Sequence, residues 1–311
     1  MPNSDSVDVL VIGTTCLDVK ARPLAPVQPG ISNPASIRLS PGGTARNVAE
    51  NLARLGVRVA LLSAVGNDLA GQRLMEHTSL AGVDVSRVIY SPDYSTGIYL
   101  ALYTQEEQHG YLLDDVAQLK AATPEYINNY KNLFRHAKMV MLDGNLDTET
   151  IAAALALAKR FGVPVGVDPA TVRRAYALRP YISEFSMITP NVTEAQALCD
   201  CSISKEGDAL EAARGMVAQG VDIAIITMAD QGLVYATSEA NGHIPAIRCE
   251  VKDWTGAGDA LSAAVIYGLI NEMPVDDCMR LGVAAATLTL KSAESVNPEM
   301  SLEQLYANMV I

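Results

Sequence analysis

The chain has 311 residues, of which 49% are hydrophobic and 19% charged, a composition typical of a globular protein with a large buried core. This composition excludes a disordered or fibrous chain. The formal net charge of −12 disfavours nucleic acid and anionic membrane surfaces as partners, because an acidic surface repels phosphate groups.

Five cysteines are scattered along the chain without a CxxC pair. The spacing of Cys199 and Cys201 allows a metal site, but no matching pair of histidines or cysteines accompanies them, which favours thiols in a reducing compartment. A polar segment, Met1 to Ser6, leads directly into a short apolar run, and no apolar run approaches ~20 residues. We therefore expect a cytoplasmic protein.

Short apolar runs alternate with amphipathic segments along most of the chain. Residues 7–12 form a continuous apolar run that ends at Gly13, which predicts a strand buried on both faces of a sheet. Further strands are predicted over 57–64, 138–142, 163–167, 187–189 and 222–227, and helices over 44–55, 148–161, from 192, over 257–270 and over 275–290. This alternation predicts an α/β fold with a doubly wound, mainly parallel sheet flanked by helices.

Two stretches interrupt the alternation. Residues 14–40 are rich in proline, and residues 95–114 include the alternating string TGIYLALY. Because connections of this length inside a compact fold usually carry function, we expect these stretches to form a small β-strand lid. The lid would belong to a single domain that spans residues 1–311.

The clearest chemical signal is the string DWTGAGD, which runs from Asp253 to Asp259 and leads into an apolar helix. Small residues at 256–258 let the main chain approach a ligand closely, and their N–H groups at a helix N-terminus favour an anion. A carboxylate beside that anion suits a base that deprotonates a nucleophile aimed at phosphorus. The alternative is a tight loop whose acidic residue only stabilises the helix, but the longer string GAGDA favours the anion site.

These residues resemble the pfkB carbohydrate kinases, which have a ribokinase-like fold. The C-terminal signature of that family contains DTxGAGD, from which this chain departs at Trp254 and Thr255. The N-terminal signature is also present, as the string GGTARN that begins at Gly42 and the string GNDLAG that begins at Gly66. The resemblance spans nearly the whole chain.

The resemblance implies an ATP-dependent kinase that phosphorylates a sugar-like hydroxyl. It implies Asp259 as the catalytic base and the main-chain amides of Gly256, Ala257 and Gly258 as the anion hole. The residues implied on the sugar side are Asp18, Gly42, Gly43 and Asn47. A carboxylate and an amide suit vicinal hydroxyls, because together they accept and donate hydrogen bonds. A turn-stabilising role is the alternative for Asp18.

The resemblance also implies the nucleotide and metal sites. Asn191 and Glu194 match the NxxE motif that organises Mg²⁺, partly through water, with a helix N-cap as the alternative interpretation. Thr227 and Gly232 match a nucleotide-side TxGxxG motif in which Ala229 replaces the first glycine. The residues implied for ATP are Asn191, Thr227, Gly232 and Gly258.

A monovalent cation, K⁺, is a further expectation from the resemblance. Asp253 and Thr255, with main-chain groups of residues 292–295, would form its site. Other nucleotide-binding classes are disfavoured, because the chain has no GxxxxGK[ST] loop and no GxGxxG turn.

Within the family, the chain is most similar to pseudouridine kinases. The similarity lies in the strings SNP at 32–34, PGGTARN at 41–47, DGNL at 143–146, VDP at 167–169 and VNP at 296–298. Asp143 follows a predicted strand, where open α/β sheets bind ligands, and is therefore a candidate contact to a base or ribose hydroxyl. Ribose or another furanose is the alternative acceptor, since such short strings also occur as ordinary turns.

Transfer to a primary 5′-hydroxyl beneath a closed lid is the expected mechanism, and pairing of lids between subunits would give a homodimer. A hypothesis of a different class is a non-catalytic sensor that binds a nucleoside without turnover. The complete GAGD string argues against the sensor, because a sensor does not need the base.

Overall fold

A computed structural model describes residues 7–103 and 110–309 of the chain. The strands are β1 Val9–Ile12, β2 Cys16–Pro23, β3 Ala35–Gly42, β4 Val59–Leu62, β5 Ala64–Gly66, β6 Ile89–Ser91, β7 Gly97–Leu102, β8 Tyr111–Asp115, β9 Met139–Asp143, β10 Val165–Asp168, β11 Met187–Ile188, β12 Ile223–Thr227, β13 Leu233–Ala236 and β14 Asn241–Ile244. The helices are α1 Thr44–Arg54, α2 Leu69–Leu80, α3 Pro124–Asn129, α4 Lys131–His136, α5 Thr148–Phe161, α6 Val172–Leu178, α7 Val192–Cys199, α8 Glu206–Ala218, α9 Ala257–Ile270, α10 Val275–Leu290 and α11 Leu302–Asn308.

The central sheet has the order β14-β13-β12-β11-β10-β9-β1-β4. Six of its strands are parallel to one another, namely β12, β11, β10, β9, β1 and β4. The remaining two, β13 and β14, pair antiparallel and form one edge of the sheet. A parallel sheet has to be covered on both faces, and the alternation along β1 shows how this is achieved. Val9 and Val11 pack in one hydrophobic layer, and Leu10 and Ile12 pack in the layer on the opposite face. The α/β class predicted from the sequence is confirmed.

Most predicted elements match the observed ones, with two differences at the sheet. The strand expected over 57–64 is divided at Ser63, because β5 leaves the central sheet and pairs with β6. The antiparallel pair β13 and β14 was not predicted. No helix in residues 7–103 or 110–309 is long and apolar enough to cross a lipid bilayer.

A second sheet, with the order β3-β2-β7-β8, forms from the two stretches that interrupt the alternation. Residues 104–109 of the expected lid lie outside the described residues. The strand register divides this lid sheet into two different faces. One face is mainly apolar and carries Leu17, Val19, Ala21, Ile37, Leu39, Ile98, Leu100, Leu102, Tyr111 and Leu113, with Asp115 on the edge strand β8 as its acidic member. The other face carries Cys16, Asp18, Lys20 and Tyr99, and this polar face covers the candidate active site.

Candidate active site

A cavity of about 230 Å³ lies between the inner face of the lid sheet and the N-termini of α1 and α9. Its walls are formed by Thr14, Cys16, Asp18, Gly43, Thr44, Asn47, Tyr99, Asp114, Val116, Asn145, Ala170, Thr171, Thr255, Gly256 and Asp259. The carboxyl ends of β1, β9 and β10 lead into the loops that contribute to these walls, as is usual for ligand sites in open α/β sheets. The structure therefore brings three of the predicted sugar-side residues, Asp18, Gly43 and Asn47, into one cavity with the predicted base, whereas Gly42 lies outside its walls.

The N-terminus of α9 is a helix end without a side-chain cap. Gly256 has φ 84°, a left-handed conformation that favours glycine, and a Cβ at this position would overlap the main-chain oxygen of Ser295. The first amides of a helix have no acceptor within the helix, and the helix dipole makes that end favourable for an anion. The turn can therefore bind an anion through the main chain of residues 256–258.

Asp259 lies in the first turn of α9 with its carboxyl group at the wall of the cavity. Its Oδ2 accepts a hydrogen bond from Asn47 Nδ2 at 2.6 Å. Burial raises the pKa of Asp259 to about 7, the hydrogen bond from Asn47 opposes this rise, and the nearby Asp143 carboxylate adds to it. A carboxyl group that titrates close to neutral pH is well matched to general-base catalysis.

Asn47 is held in one orientation by its neighbour Arg46. The buried guanidinium of Arg46 donates hydrogen bonds to Asn47 Oδ1 and to the main-chain oxygen of Gly42, and forms an ion pair with Glu50. Because Oδ1 of Asn47 is engaged by Arg46, its Nδ2 group faces Asp259. In the sequence, Arg46 appears only as a member of the string PGGTARN, and its positioning role depends on these contacts.

The hydrogen bond from Asn47 leads to a prediction about pH dependence. Asn47→Leu removes a donor that stabilises the charged form of Asp259, so the pKa of Asp259 is expected to rise above about 7. The base must be deprotonated to act, so the rising limb of kcat/KM should move to higher pH. A pH–rate series measures this shift. Asn51→Leu, one helical turn away, is the control, because Asn51 donates to the main chain of Asn47 and not to Asp259. An unmoved limb in Asn47→Leu would contradict the assignment.

Asp18 is buried on the inner face of the lid sheet and lines the cavity. Its Oδ2 accepts a hydrogen bond from Ser295 Oγ at 2.7 Å. Burial raises the pKa of Asp18, while the hydrogen bond from Ser295 and the charge of Lys20 oppose this rise. A Cβ at Gly42 would overlap the Asp18 carboxylate, so this glycine makes room for the acid.

Asp143 lies beneath the cavity, and both of its carboxylate oxygens are engaged. Oδ2 accepts from the amide of Thr14 at 2.8 Å, and Oδ1 accepts from the amide of Asn145 at 2.9 Å. Asp143 thus joins the two loops whose residues Thr14 and Asn145 line the cavity. Burial raises the pKa of Asp143, and these hydrogen bonds oppose that rise. Direct contact between Asp143 and a substrate stays a prediction, whereas Asn145 is a cavity residue that the sequence reasoning missed.

The predicted nucleotide-side residues lie outside the walls of this cavity. Asn191 and Thr227 are at the ends of β11 and β12, Gly232 directly precedes β13, and Gly258 is in the first turn of α9. Asn191 and Glu194 form a capping box at the start of α7, with Oδ1 of Asn191 accepting from the Glu194 amide at 3.0 Å and Glu194 Oε2 from the Asn191 amide at 2.9 Å. Thr227 lies beside Asn191 in a parallel bridge. Gly232 has φ 92°, and Ala229 keeps a left-handed φ of 51° despite its side chain.

Asp168, at the end of β10, is an acidic residue to which the sequence analysis assigned no role. Burial raises its pKa well above the ordinary value, and the neighbouring carboxylates of Glu194 and Asp259 raise it further. Repulsion among these groups would be relieved by a cation with oxygen ligands, so the acidic pair Asp168 and Glu194 fits Mg²⁺. The sequence signal that could have indicated Asp168 is the string VDP at 167–169, which lies at the end of a predicted strand.

The expected K⁺ site beside Asp253 does not fit the residues present. The ammonium group of Lys20 lies 3.1 Å from Asp253 Oδ2, so this carboxylate already has a cationic partner. Its Oδ1 accepts a hydrogen bond from the amide of Thr255 at 2.9 Å. A second cation at this carboxylate would be repelled by Lys20.

The uncapped N-terminus of α9 lies beside a carboxyl group that titrates near neutral pH, at the wall of a cavity covered by a β-sheet lid. This is the arrangement expected of a phosphotransferase that acts on a small hydroxylated acceptor. The pfkB family carbohydrate kinase profile matches residues 7–301. The chain belongs to this family and is an ATP-dependent carbohydrate or nucleoside kinase.

Known relatives share nearly the full length of the chain. A pseudouridine kinase of Escherichia coli strain K12 is 30% identical over 295 residues, which cover 94% of each chain. A deoxyribokinase of Salmonella typhi is 25% identical, with 96% of this chain and 97% of the relative covered. The solved structure of Arabidopsis thaliana ribokinase, complexed with ribose and ATP, is 20% identical, with a TM-score of 0.83 and coverage of 98% of this chain and 99% of that one. This last similarity supports the fold.

Proposed function

We propose that the chain transfers the γ-phosphoryl group of ATP to the primary 5′-hydroxyl of a ribosyl acceptor, with pseudouridine as the preferred acceptor. The observation that carries the chemistry is Asp259, whose carboxyl group, with a pKa of about 7, lies at the cavity wall beside the uncapped start of α9. The base and the anion-binding turn are thus adjacent on one helix. An acceptor hydroxyl bound at this point would lie between its proton acceptor and the phosphorus that it attacks.

In this mechanism Asp259 accepts the proton of the acceptor hydroxyl as its oxygen forms a bond to the γ-phosphorus. The bond between that phosphorus and the β,γ-bridging oxygen breaks, and ADP leaves. Amides of residues 256–258 stabilise the negative charge on the transferred group. ATP and Mg²⁺ are typical of the family; when bound, the metal neutralises phosphate charge, and Glu194 and Asp168 would hold it, partly through water.

Asp18 and Asn47 are the proposed contacts to the ribosyl hydroxyls, because one accepts and the other can donate hydrogen bonds within the same cavity. The polar lining extends to the side chains of Asn145, Asp114 and Tyr99. A uracil ring presents both N–H and C=O groups, and Asn145 with Asp114 offers acceptors and a donor for them. A free pentose has no such ring, so this lining favours a nucleoside, in agreement with the relative at 30% identity.

The acceptor is tested by one screen. ADP release is measured with ATP and Mg²⁺ and, in turn, pseudouridine, uridine, adenosine, ribose and fructose. We expect the highest kcat/KM with pseudouridine. Asn145→Leu should lower kcat/KM for pseudouridine by about 10-fold, the value of one hydrogen bond, and change that for ribose less. A higher kcat/KM for ribose than for pseudouridine in the wild-type protein would overturn the proposed acceptor.

A homodimer formed through the lid is the proposed assembly. Its support is the apolar outer face of the lid sheet, on which Ile37 and Leu39 are 65% and 60% exposed. Tyr111 and Leu113 extend this surface on β8 and are exposed to a similar degree. Contiguous exposed apolar patches on soluble proteins commonly mark protein–protein interfaces. A two-fold axis would pair each lid with its copy.

Leu39→Glu is expected to convert the dimer to a monomer, because it places a charge in the centre of the proposed interface. Light scattering coupled to size-exclusion chromatography measures the change in mass relative to the 33.1 kDa chain. Leu80→Glu is the control, since Leu80 is 83% exposed on α2 and lies outside the lid sheet. A wild-type mass of one chain at micromolar concentration would refute lid pairing.

A further inference from the structure

Lys20 and Asp253 form a buried ion pair between the lid and the segment that leads into α9. The side chains are 4% and 6% exposed, and Lys20 Nζ lies 3.1 Å from Asp253 Oδ2. Lys20 is on the inner face of β2, two residues after Asp18. Asp253 also accepts a hydrogen bond from the amide of Thr255, which directly precedes Gly256. The lysine charge is therefore linked to the anion-binding turn through a single carboxylate.

Burying two charges is costly, and replacing such a pair by packed apolar residues is often neutral or stabilising. The pair is therefore weak evidence for a role in stability alone. The position of the pair indicates another role. Without Lys20, Asp253 would be an unpaired buried carboxylate immediately before the anion-binding turn. Such a carboxylate would either bind a cation from solution or repel the phosphate that the turn receives.

We propose that the Lys20 ammonium is a built-in cation that neutralises Asp253 and positions the anion-binding turn, so that the kinase needs no K⁺. Lys20 acts as a positioning residue, because it reaches the transferred phosphate only through Asp253 and the main chain of residues 255–256. Since β2 also carries Asp18, the same strand fixes the acceptor side of the cavity and the charge behind the phosphate side.

The first test uses the wild-type protein and needs no variant. Initial velocity with ATP, Mg²⁺ and the best acceptor of the screen is measured in KCl and in choline chloride at equal ionic strength. Thermal unfolding midpoints are measured in the same two salts. We expect equal velocities and equal midpoints. Saturable activation of the wild-type protein by K⁺ over choline would overturn the proposal.

The second test removes the charge while keeping the length of the side chain. Lys20→Met is expected to lose about 10²-fold in kcat in choline chloride, the order expected when a binding group is displaced by about 1 Å. KCl should restore much of this activity and raise the unfolding midpoint of the variant, because K⁺ then binds at Asp253. Lys252→Met, which changes an exposed lysine next to Asp253, is the matched control and should show neither effect.

The outcomes separate a positioning role from a structural one. A Lys20→Met protein that loses activity and stability without recovery in K⁺ would show that the pair only holds the fold, and would overturn the proposal. A variant that is fully active in choline would do the same. The unfolding measurements need no acceptor, so they decide the role of Lys20 even if pseudouridine is not the substrate.

Discussion

Asp259→Asn is expected to lower kcat by about 10³- to 10⁴-fold, within the range that general-base catalysis supplies, while ATP and acceptor still bind. The amide that replaces the carboxyl group cannot accept the hydroxyl proton at neutral pH. It has nearly the same shape and can keep the hydrogen bond from Asn47, which at present joins Nδ2 to Asp259 Oδ2. Steady-state ADP release gives kcat, and titration calorimetry gives the two dissociation constants.

Asp277→Asn is the matched control for this variant. Asp277 lies in the first turn of α10, as Asp259 lies in the first turn of α9. It is outside the walls of the cavity, so the same substitution is made in an equivalent helical position away from the site. Its kcat is expected to equal that of the wild-type protein. Near-normal turnover by Asp259→Asn would refute the assignment of the base.

The same variant should be more stable than the wild-type protein at alkaline pH. The pKa of Asp259 is raised from 3.8 to about 7 by burial, so the folded state binds this proton more tightly than the unfolded state does. Stability is therefore lost as the pH rises from about 4 to 7 and stays lower above 7, by up to about 4 kcal/mol at 1.36 kcal/mol per pH unit. Urea unfolding at pH 8 should show Asp259→Asn as the more stable protein, with the difference shrinking towards pH 4. An unchanged difference across this range would contradict the raised pKa.

Local signals in the sequence were sufficient for many elements of the fold. The helix predicted over 257–270 is observed with those bounds, because three small residues precede an apolar run and Gly256 adopts a left-handed turn at its start. The helix predicted over 148–161 is also observed as predicted, and Gly162 ends it with φ 68°. In both cases the deciding residues are neighbours in the chain.

The interactions that complete the site join residues that are distant in the sequence, and no local pattern indicates them. Lys20 reaches Asp253 only because the register of β2 turns its side chain inwards beside Asp18. The orientation of Asn47 depends on the packing of Arg46 against the main chain at Gly42. Such contacts depend on strand register and on helix packing, which the sequence alone does not specify.

The NxxE motif shows why one sequence pattern can suggest two different roles. The N-cap interpretation is observed, since Asn191 and Glu194 form a capping box. Yet Glu194 also lies close enough to Asp168 for its carboxylate to raise the pKa of that residue. A helix N-terminus needs a cap whether or not a ligand is present, so the local pattern is the same for both roles. The acidic pair that distinguishes them involves a residue from another strand.

Gly256→Ala is expected to lower kcat/KM by at least about 10²-fold and to destabilise the fold by more than about 2 kcal/mol. A left-handed φ of 84° costs an alanine roughly 1–2 kcal/mol. The new Cβ would also overlap the main-chain oxygen of Ser295, so either the turn or the segment around Ser295 has to move. A displacement of about 1 Å in groups that hold the transferring phosphate is sufficient for a loss of this size. ADP release and urea unfolding measure the two effects.

Alanine substitutions at two other glycines distinguish the effect of backbone strain from the effect of lost phosphate binding. A Cβ at Gly258 would meet nothing within 4 Å beyond its chain neighbours and the backbone of its own helix, so Gly258→Ala should fold with unchanged or slightly increased stability. Its activity should nevertheless fall, because the methyl group is added beside the amides that hold phosphate. Gly215→Ala, also free of contacts and placed within α8, should be stable and fully active. If Gly256→Ala kept wild-type kcat/KM, the turn at 256–258 could not be the phosphate site, since its main chain cannot accept the substitution without moving.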